Sequence, residues 1–460
     1  MSRLYAALPI FAQNLACTIS GLQRDRQRFT PHFHQTLSRW EATLSAPLPA
    51  LRRLQAEALQ QVVRRAHTHS PFYRALAPPH EAGEPEEILV RTLAQIPVLE
   101  KAVYRERFED LVARDRPRRS LVRLETSGTT GTSLPVLHTS ERLAEWYAVA
   151  WRQRRHAGVA LDDPHFTFGG RPIVPLSQSR PPFWRRNAAS QQTLFSSYHL
   201  APEHMPSYVD AVHALPARYV QGYPSALHLV ARALLDAGRP LPAGRLRGVF
   251  TSSETLLDFQ RADISQAFGA RVFDYYSATE ACIAMTGCGA GRLHVDCEFC
   301  LVEVEVAEFT DEWERGEILA TALGADAVPF LRYRIGDIGT RARRPCPCGR
   351  AGESFLWIDG RIEDYVVTPD GRRIGRMDHV FKDQPLVAEA QFVQETSHAL
   401  RVLVVPRPGF DASAEERLRA EIRKRVGTAL ALEIVRVATI AREPNGKLRA
   451  VKSRVGRLEA

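Results

Sequence analysis

Short apolar runs and longer amphipathic stretches alternate through the middle of this chain, and that alternation restricts its fold more than any other feature. Arg218–Pro224 reads as a strand and a turn, and Ser225–Ala237 follows at helical spacing. Gly238 and Pro240 end that helix, because glycine accepts the left-handed turn and proline cannot continue the hydrogen-bond ladder. Leu246–Phe250 is the next buried strand and Leu256–Phe268 the next helix, ended by Gly269; Val272 and Phe273 then open another strand. Successive strands joined through helices pair in parallel, so the expected core is a parallel sheet covered by helices.

At 460 residues the chain exceeds what one hydrophobic core supports, so at least two domains are expected. The style changes after Arg361. Tyr365–Gly371 reads as a strand with an Asp-Gly turn, Ala388–Val393 and Ala399–Val405 as strands, Ala414–Val426 as a helix and Leu432–Val437 as the last strand. The expected fold class is α/β: a large N-terminal domain, residues 1–360, with helix-covered sheets, and a small α+β C-terminal domain, residues 361–460. Leu48–Arg74 is expected to be a helix closed by Pro71, and the four prolines of Arg171–Arg186 mark a long surface loop.

The net charge of +9 is spread over 61 basic and 52 acidic residues. No basic stripe interleaved with aromatics stands out, so nucleic acid is not an expected partner. No apolar run approaches the ~20 residues of a membrane span. Met1–Leu22 reads as a helix packing on the body, with contact to a membrane surface as the alternative. A cytoplasmic location is expected. Seven cysteines in this length are too few for a disulfide scaffold, but Cys282, Cys288, Cys297, Cys300, Cys346 and Cys348 fall within one third of the chain.

The run Leu124–Ser133 packs two glycines and six hydroxyl residues into ten positions between apolar segments. Such a loop can turn its N–H groups and hydroxyls onto an anion; the other reading is a solvated connection between two strands. It is not a Walker A loop, since no Gly-Lys-Ser/Thr follows. Four segments come after it in fixed order: Asp274–Glu280, Tyr333–Asp337, Gly360–Asp364 and Arg442–Lys447. On these motifs the chain resembles the adenylate-forming superfamily of acyl- and aryl-CoA ligases, and within it the phenylacetate–CoA ligase-like family. Leu8–Gly21, Ser70–Arg74 and Cys346–Arg350 resemble its capsular-polysaccharide-associated branch.

The resemblance implies a reaction and a set of roles. A carboxylic acid, commonly aromatic, would attack the α-phosphorus of ATP to give an acyl-adenylate. The acyl group would then pass to the thiol of CoA or of a carrier-protein phosphopantetheine. Thr126, Ser127, Gly128, Thr129, Thr130 and Gly131 would hold the β- and γ-phosphates, Thr279 the α-phosphate, and Glu280 the Mg²⁺. Ser253, Glu254, Tyr276 and Ser277 would form the adenine site, with serine at 277 where the family usually has glycine. Asp337 would take the ribose hydroxyls, and Arg361 the ribose or a phosphate. Glu363 stands where the family usually has a hinge aspartate. Lys447 would be the catalytic lysine, with Lys452 as a competing candidate. The partners expected are a small carboxylic acid, an acyl carrier protein and a second copy of the chain as a homodimer. Two other readings remain: an acyltransferase that works without ATP on the same fold, and a non-catalytic role in polysaccharide biosynthesis.

Cys288, His294, Cys346 and Cys348 offer three thiolates and an imidazole, a set that suits a closed tetrahedral Zn²⁺ site, and some relatives carry a structural zinc in this region. Cys297 and Cys300 are the alternatives by spacing. Leu293–Val306, however, alternates like one strand, which would point positions three apart to opposite faces.

Overall fold

The computed structural model describes residues 3–125, 134–361, 366–370, 373–374, 377, 380, 384, 386–443 and 448–455. Its architecture is mixed α/β, with a large sheet-rich part and a C-terminal α+β part. The chain groups into two compact units. One comprises Met1–Ile19, Leu161–Val272 and Asp359–Ala460; the other comprises Ser20–Ala160 and Phe273–Ile358.

In the first unit, strands Gly248–Ser252, Tyr219–Gly222, His165–Gly169 and Gln192–Ser196 lie side by side in parallel. Trp184–Asn187 closes the edge antiparallel to Gln192–Ser196. The helices fall where the alternation places them. Pro224–Asp236 starts with proline in its first turn and buries Ala226, Leu227, Val230, Ala231 and Leu234 on one side. Each large apolar side chain buried this way contributes about 1.5–3 kcal/mol. Asp258–Phe268 ends at Gly269, whose φ of 59° is the left-handed conformation that glycine adopts without strain. Gly222 is required for a different reason: a Cβ there would lie 2.5 Å from the Phe168 carbonyl oxygen.

The stretch Arg171–Arg186 is not loop throughout, because it ends in the edge strand Trp184–Asn187. Arg185 is fully buried, and its guanidinium donates to Gln13, Gln178 and the carbonyls of Pro182 and Trp184.

The C-terminal part of this unit holds a four-stranded sheet in the order Ala431–Arg436, Ala399–Pro406, Val387–Thr396, Val451–Ser453. Helix Ala412–Val426, capped by the Asp411 carboxylate on the Ala414 N–H, packs Leu418 and Ile422 among Phe392, Val402 and Val404. Ala431–Arg436 is therefore not the last strand. Val451–Ser453 pairs in parallel with Val387–Thr396, and three residues are too few to show a period.

In the second unit the strand order is Cys300–Phe309, Trp313–Ala322, Tyr333–Ala342, Ser354–Arg361, Leu293–Val295, Ala284–Gly287, Val272–Ser277. Helices Pro31–Ala42, Leu48–His69 and Ser140–His156 belong to the same unit. The expected single strand over Leu293–Val306 is split into Leu293–Val295 and Cys300–Phe309. The cause is Asp296. Its buried carboxylate accepts from Arg152, Arg350 and Thr286, and the chain turns there, with the Phe299 N–H on the Asp296 carbonyl. Among the described residues no helix is long and apolar enough to cross a membrane.

Candidate active site and metal centre

The hydroxyl-rich loop, with Thr126, Ser127, Gly128, Thr129, Thr130 and Gly131, lies outside the described residues, but its two flanks are tied together. Val122–Glu125 and Pro135–His138 pair antiparallel, Val122 opposite His138 and Glu125 opposite Pro135. His138 ends the second flank fully buried. Its Nε2 is 2.9 Å from the Thr279 carbonyl and its Nδ1 is 2.6 Å from Asp326 Oδ2. The other Asp326 oxygen accepts the N–H groups of Thr139 and Ala327. The chain leaving the loop is thereby fastened to the backbone of Thr279.

Strand Val272–Ser277 presents Tyr275 and Tyr276 to opposite faces. The Tyr276 hydroxyl donates to Asp337 Oδ2 at 2.6 Å. Burial raises the Tyr275 hydroxyl well above its ordinary range, with the Asp296 charge adding to the effect. Glu280 is buried and accepts the Tyr333 hydroxyl on Oε1 at 3.2 Å. Burial first, and then the Glu280 charge, raises the Tyr333 phenol far above its usual value, so it acts as a donor. A carboxylate accepts at both oxygens, so one phenol does not saturate Glu280, and it fits a hard cation such as Mg²⁺.

The backbone here is strained. Ala281 has φ 48° and Arg332 φ 45°, left-handed conformations that cost a non-glycine residue about 1–3 kcal/mol each. Arg142 holds the first of these. Its buried guanidinium donates to the Ala281 carbonyl from Nε at 3.1 Å and Nη2 at 2.7 Å, and to Phe299 O at 3.1 Å. It also lies over the Phe299 ring, 3.6 Å from the centroid.

In the first unit, strand Gly248–Ser252 runs out into Ser253 and Glu254. Ser253 is again left-handed, at φ 73°. Glu254 accepts the N–H and hydroxyl of Ser225 at 3.0 and 3.1 Å, and on Oε1 the N–H of Leu448 at 2.9 Å. Arg442 pairs with Glu389. Burial raises the Glu389 carboxyl above its usual range against the pull of Arg442, and the Glu254 charge adds to the rise. Ser225, Glu254, Glu389 and Leu448 line a cavity of about 330 Å³ together with His228 and Phe259.

Cys288, His294, Cys346 and Cys348 come together with all their ligand atoms within 4.8 Å of one another. Cys288 and Cys346 Sγ are 3.7 Å apart, and Cys348 Sγ is 3.3 Å from His294 Nε2. A tetrahedron with Zn–S bonds of ~2.3 Å has S···S edges of about 3.8 Å, so this donor set fits zinc. Burial raises the Cys288 thiol, but the His294 ring and the N–H groups of Ala290 and Arg292 outweigh it and hold it below its ordinary range. Cys297 and Cys300 stand apart from the cluster. Burial pushes Cys297 up to about 12 and raises Cys300 as well; their sulfurs face the carbonyls of Val295 and Ala284.

Residues 366–454 match the family model described as the CapK C-terminal domain. Protein CapK of Staphylococcus aureus is 25% identical over 460 residues, covering 98% of both chains. The phenylacetate–coenzyme A ligase of Thermus thermophilus is 23% identical over 462 residues, covering 88% of this chain and 97% of that one. Among solved structures, 2-hydroxyisobutyryl-CoA ligase in the postadenylation state, in complex with 2-HIB-AMP, superposes with a TM-score of 0.66 at 20% identity, covering 90% and 91% of the two chains. The chain shares the fold of the adenylate-forming ligases to which it is similar.

Within this adenylate-forming fold, Tyr276, Ser277, Thr279, Glu280 and Asp337 fall in the second unit, and Ser253 and Glu254 in the first. Arg361 ends strand Ser354–Arg361. Its side chain, together with Glu363 and Lys447, lies outside the described residues; Lys452 pairs with Glu443. Sequence reasoning gave no functional role to His138, Arg142, Tyr333, Asp326 or Ser225. His138 follows directly on the apolar run after the loop, which was a usable signal. Arg142 looks like any helix-surface arginine, and its burial depends on chain 139 residues away.

Proposed function

We propose that this protein is an ATP-dependent, AMP-forming acid–thiol ligase. It would convert a carboxylic acid, aromatic by family preference, into an acyl-adenylate and then into a thioester of CoA or of a carrier-protein phosphopantetheine. The observation that carries this reading is the Tyr276–Asp337 pair and buried Glu280, with His138, in the strand that follows the hydroxyl-rich segment in sequence, bonded to the Thr279 carbonyl. The ligases of known activity to which the chain is similar support the same reading.

Activating a carboxylate is a problem of charge and alignment, with little covalent help from side chains. Thr126–Gly131 would grip the β- and γ-phosphates and Thr279 the α-phosphate. Glu280 would hold Mg²⁺, which neutralises phosphate charge when bound. Asp337 would accept the ribose hydroxyls and Tyr276 would flank the adenine, with Ser253 and Glu254 contributing to the nucleotide site. Lys447 would place its ammonium between the attacking carboxylate and the α-phosphate. Residues 1–360 would act as the nucleotide- and acid-binding domain and 361–460 as the smaller domain that delivers Lys447, hinged near Arg361 and Glu363. Cys288, His294, Cys346 and Cys348 would hold a structural zinc. The cytoplasm, where ATP and CoA are available, is the expected compartment.

The test is pyrophosphate release from ATP across a panel of aromatic and aliphatic acids, followed by thioester detection with CoA. Acid-dependent pyrophosphate release is expected. Acyl transfer without pyrophosphate, or no turnover with any acid, would overturn the reading.

A further inference from the structure

Helix Ile10–Arg28 turns its polar side to the protein and its apolar side to solvent. Gln13 Oε1 accepts from buried Arg185, Asn14 Oδ1 from the Arg186 N–H, and Thr18 Oγ1 from the Ala188 N–H. These residues serve the edge strand Trp184–Asn187, whose outer N–H groups need partners. Because the polar side is committed there, the apolar residues lie outside. Phe11, Leu15, Ile19 and Leu22 recur at steps of four, four and three, one helical stripe, and are 75%, 58%, 50% and 45% exposed. Leu4, ahead of the helix, is exposed as well. Single exposed apolar residues are ordinary, but a continuous stripe on one face marks an interaction surface.

The charges around the stripe identify what covers it. Residues 1–24 contain no aspartate or glutamate, and neither do residues 164–202, the stretch that packs against this helix. Arg24, Asp25 and Arg26 continue the helix, two cations to one anion, and exposed Arg180 and Arg186 lie on the packed stretch. Two copies of the chain docked through this face would bring mostly arginines against arginines, with Asp25 the one acid on the helix. An apolar stripe with a net-cationic border complements an anionic lipid surface, where the side chains enter the acyl boundary and the guanidinium groups meet the headgroups. The geometry points to peripheral, reversible docking of this face on an anionic membrane, with the helix lying in the interface. This goes beyond the ligase reading and does not depend on it.

Flotation of the whole protein with vesicles tests the idea. It should rise with vesicles of phosphatidylcholine and phosphatidylglycerol, stay behind with phosphatidylcholine alone, and detach as salt is raised. The combined variant Phe11→Ser, Leu15→Ser, Ile19→Ser should keep its thermal midpoint, since those side chains are exposed, and lose vesicle binding by about tenfold or more. Arg24→Glu with Arg180→Glu and Arg186→Glu should remove the preference for anionic lipid. Failure to float with anionic vesicles would overturn the proposal, as would flotation that the serine variant leaves unchanged. A concentration-dependent dimer abolished by the serine variant, without vesicle binding, would assign the face to a second copy instead.

Discussion

The Tyr276 hydroxyl donates to Asp337 Oδ2 across 2.6 Å, so the residue proposed to flank adenine also aims the carboxylate proposed to take the ribose. Asp337→Asn should raise the ATP KM by tenfold or more, the effect of a hydrogen bond to a charged group worth ~1.5–3 kcal/mol. Tyr276→Phe should raise it less. The double variant should fall short of the sum, because each single change already breaks the shared bond. A 2′-deoxy nucleotide should lose less against Asp337→Asn than against wild type. Equal discrimination by both proteins would show that Asp337 does not touch the ribose.

Glu254 accepts the N–H of Leu448, the residue next to Lys447 in sequence. Lys447→Ala should abolish adenylate formation while leaving thioester formation from a supplied acyl-adenylate largely intact. Glu254→Ala should slow adenylation more than thioester formation, because it releases the backbone beside the lysine. Pyrophosphate exchange at the wild-type rate in Lys447→Ala would remove that residue from the mechanism.

Arg142 is a structural commitment of the site. Arg142→Met removes three donors from buried carbonyls of Ala281 and Phe299. A loss of about 3 kcal/mol or more in unfolding free energy is expected, read by denaturant titration. Arg142→Lys should recover little of it, because an ammonium cannot reproduce the fork. Unchanged stability in the methionine variant would refute the role. Gly324→Ala should act in the same direction, since its Cβ would fall 2.4 Å from Arg142 Nη1.

Metal analysis of the purified protein should find about one zinc per chain, the stoichiometry of a single closed site. Cys346→Ser with Cys348→Ser should release the metal and lower the thermal midpoint, and Cys297→Ser should leave metal content unchanged. A metal-free protein of full stability would remove zinc from the picture.

Two kinds of information separate in this chain. The alternation from Arg218 to Phe273 was readable because a strand followed by a helix changes the apolar period from 2 to 3.6 residues, and each period is a local property. Gly269, Gly238 and Pro240 were readable for the same reason: each acts on the backbone within a few residues. The order of the motifs from Thr126 to Lys447 also needed nothing beyond the chain itself, and it was enough to suggest the superfamily.

Pairing across distance was not readable. Nothing local to Asp296 says that it will collect Arg152, Arg350 and Thr286 and so break a strand whose pattern continues through it. Val451–Ser453 becomes a strand only because Val387–Thr396 offers it an edge. The four zinc-type ligands come from segments more than fifty residues apart, and only the sheet, which places Leu293–Val295 beside Ser354–Arg361, brings Cys288 and Cys346 to 3.7 Å. The orientation of helix Ile10–Arg28 was decided the same way. Its sequence permits either face to be buried, and the N–H groups of Arg186, in an edge strand some 170 residues away, and of Ala188, just past its end, chose the polar one. Local periodicity determined which elements form; the demand that each buried polar group find a partner decided how they were placed.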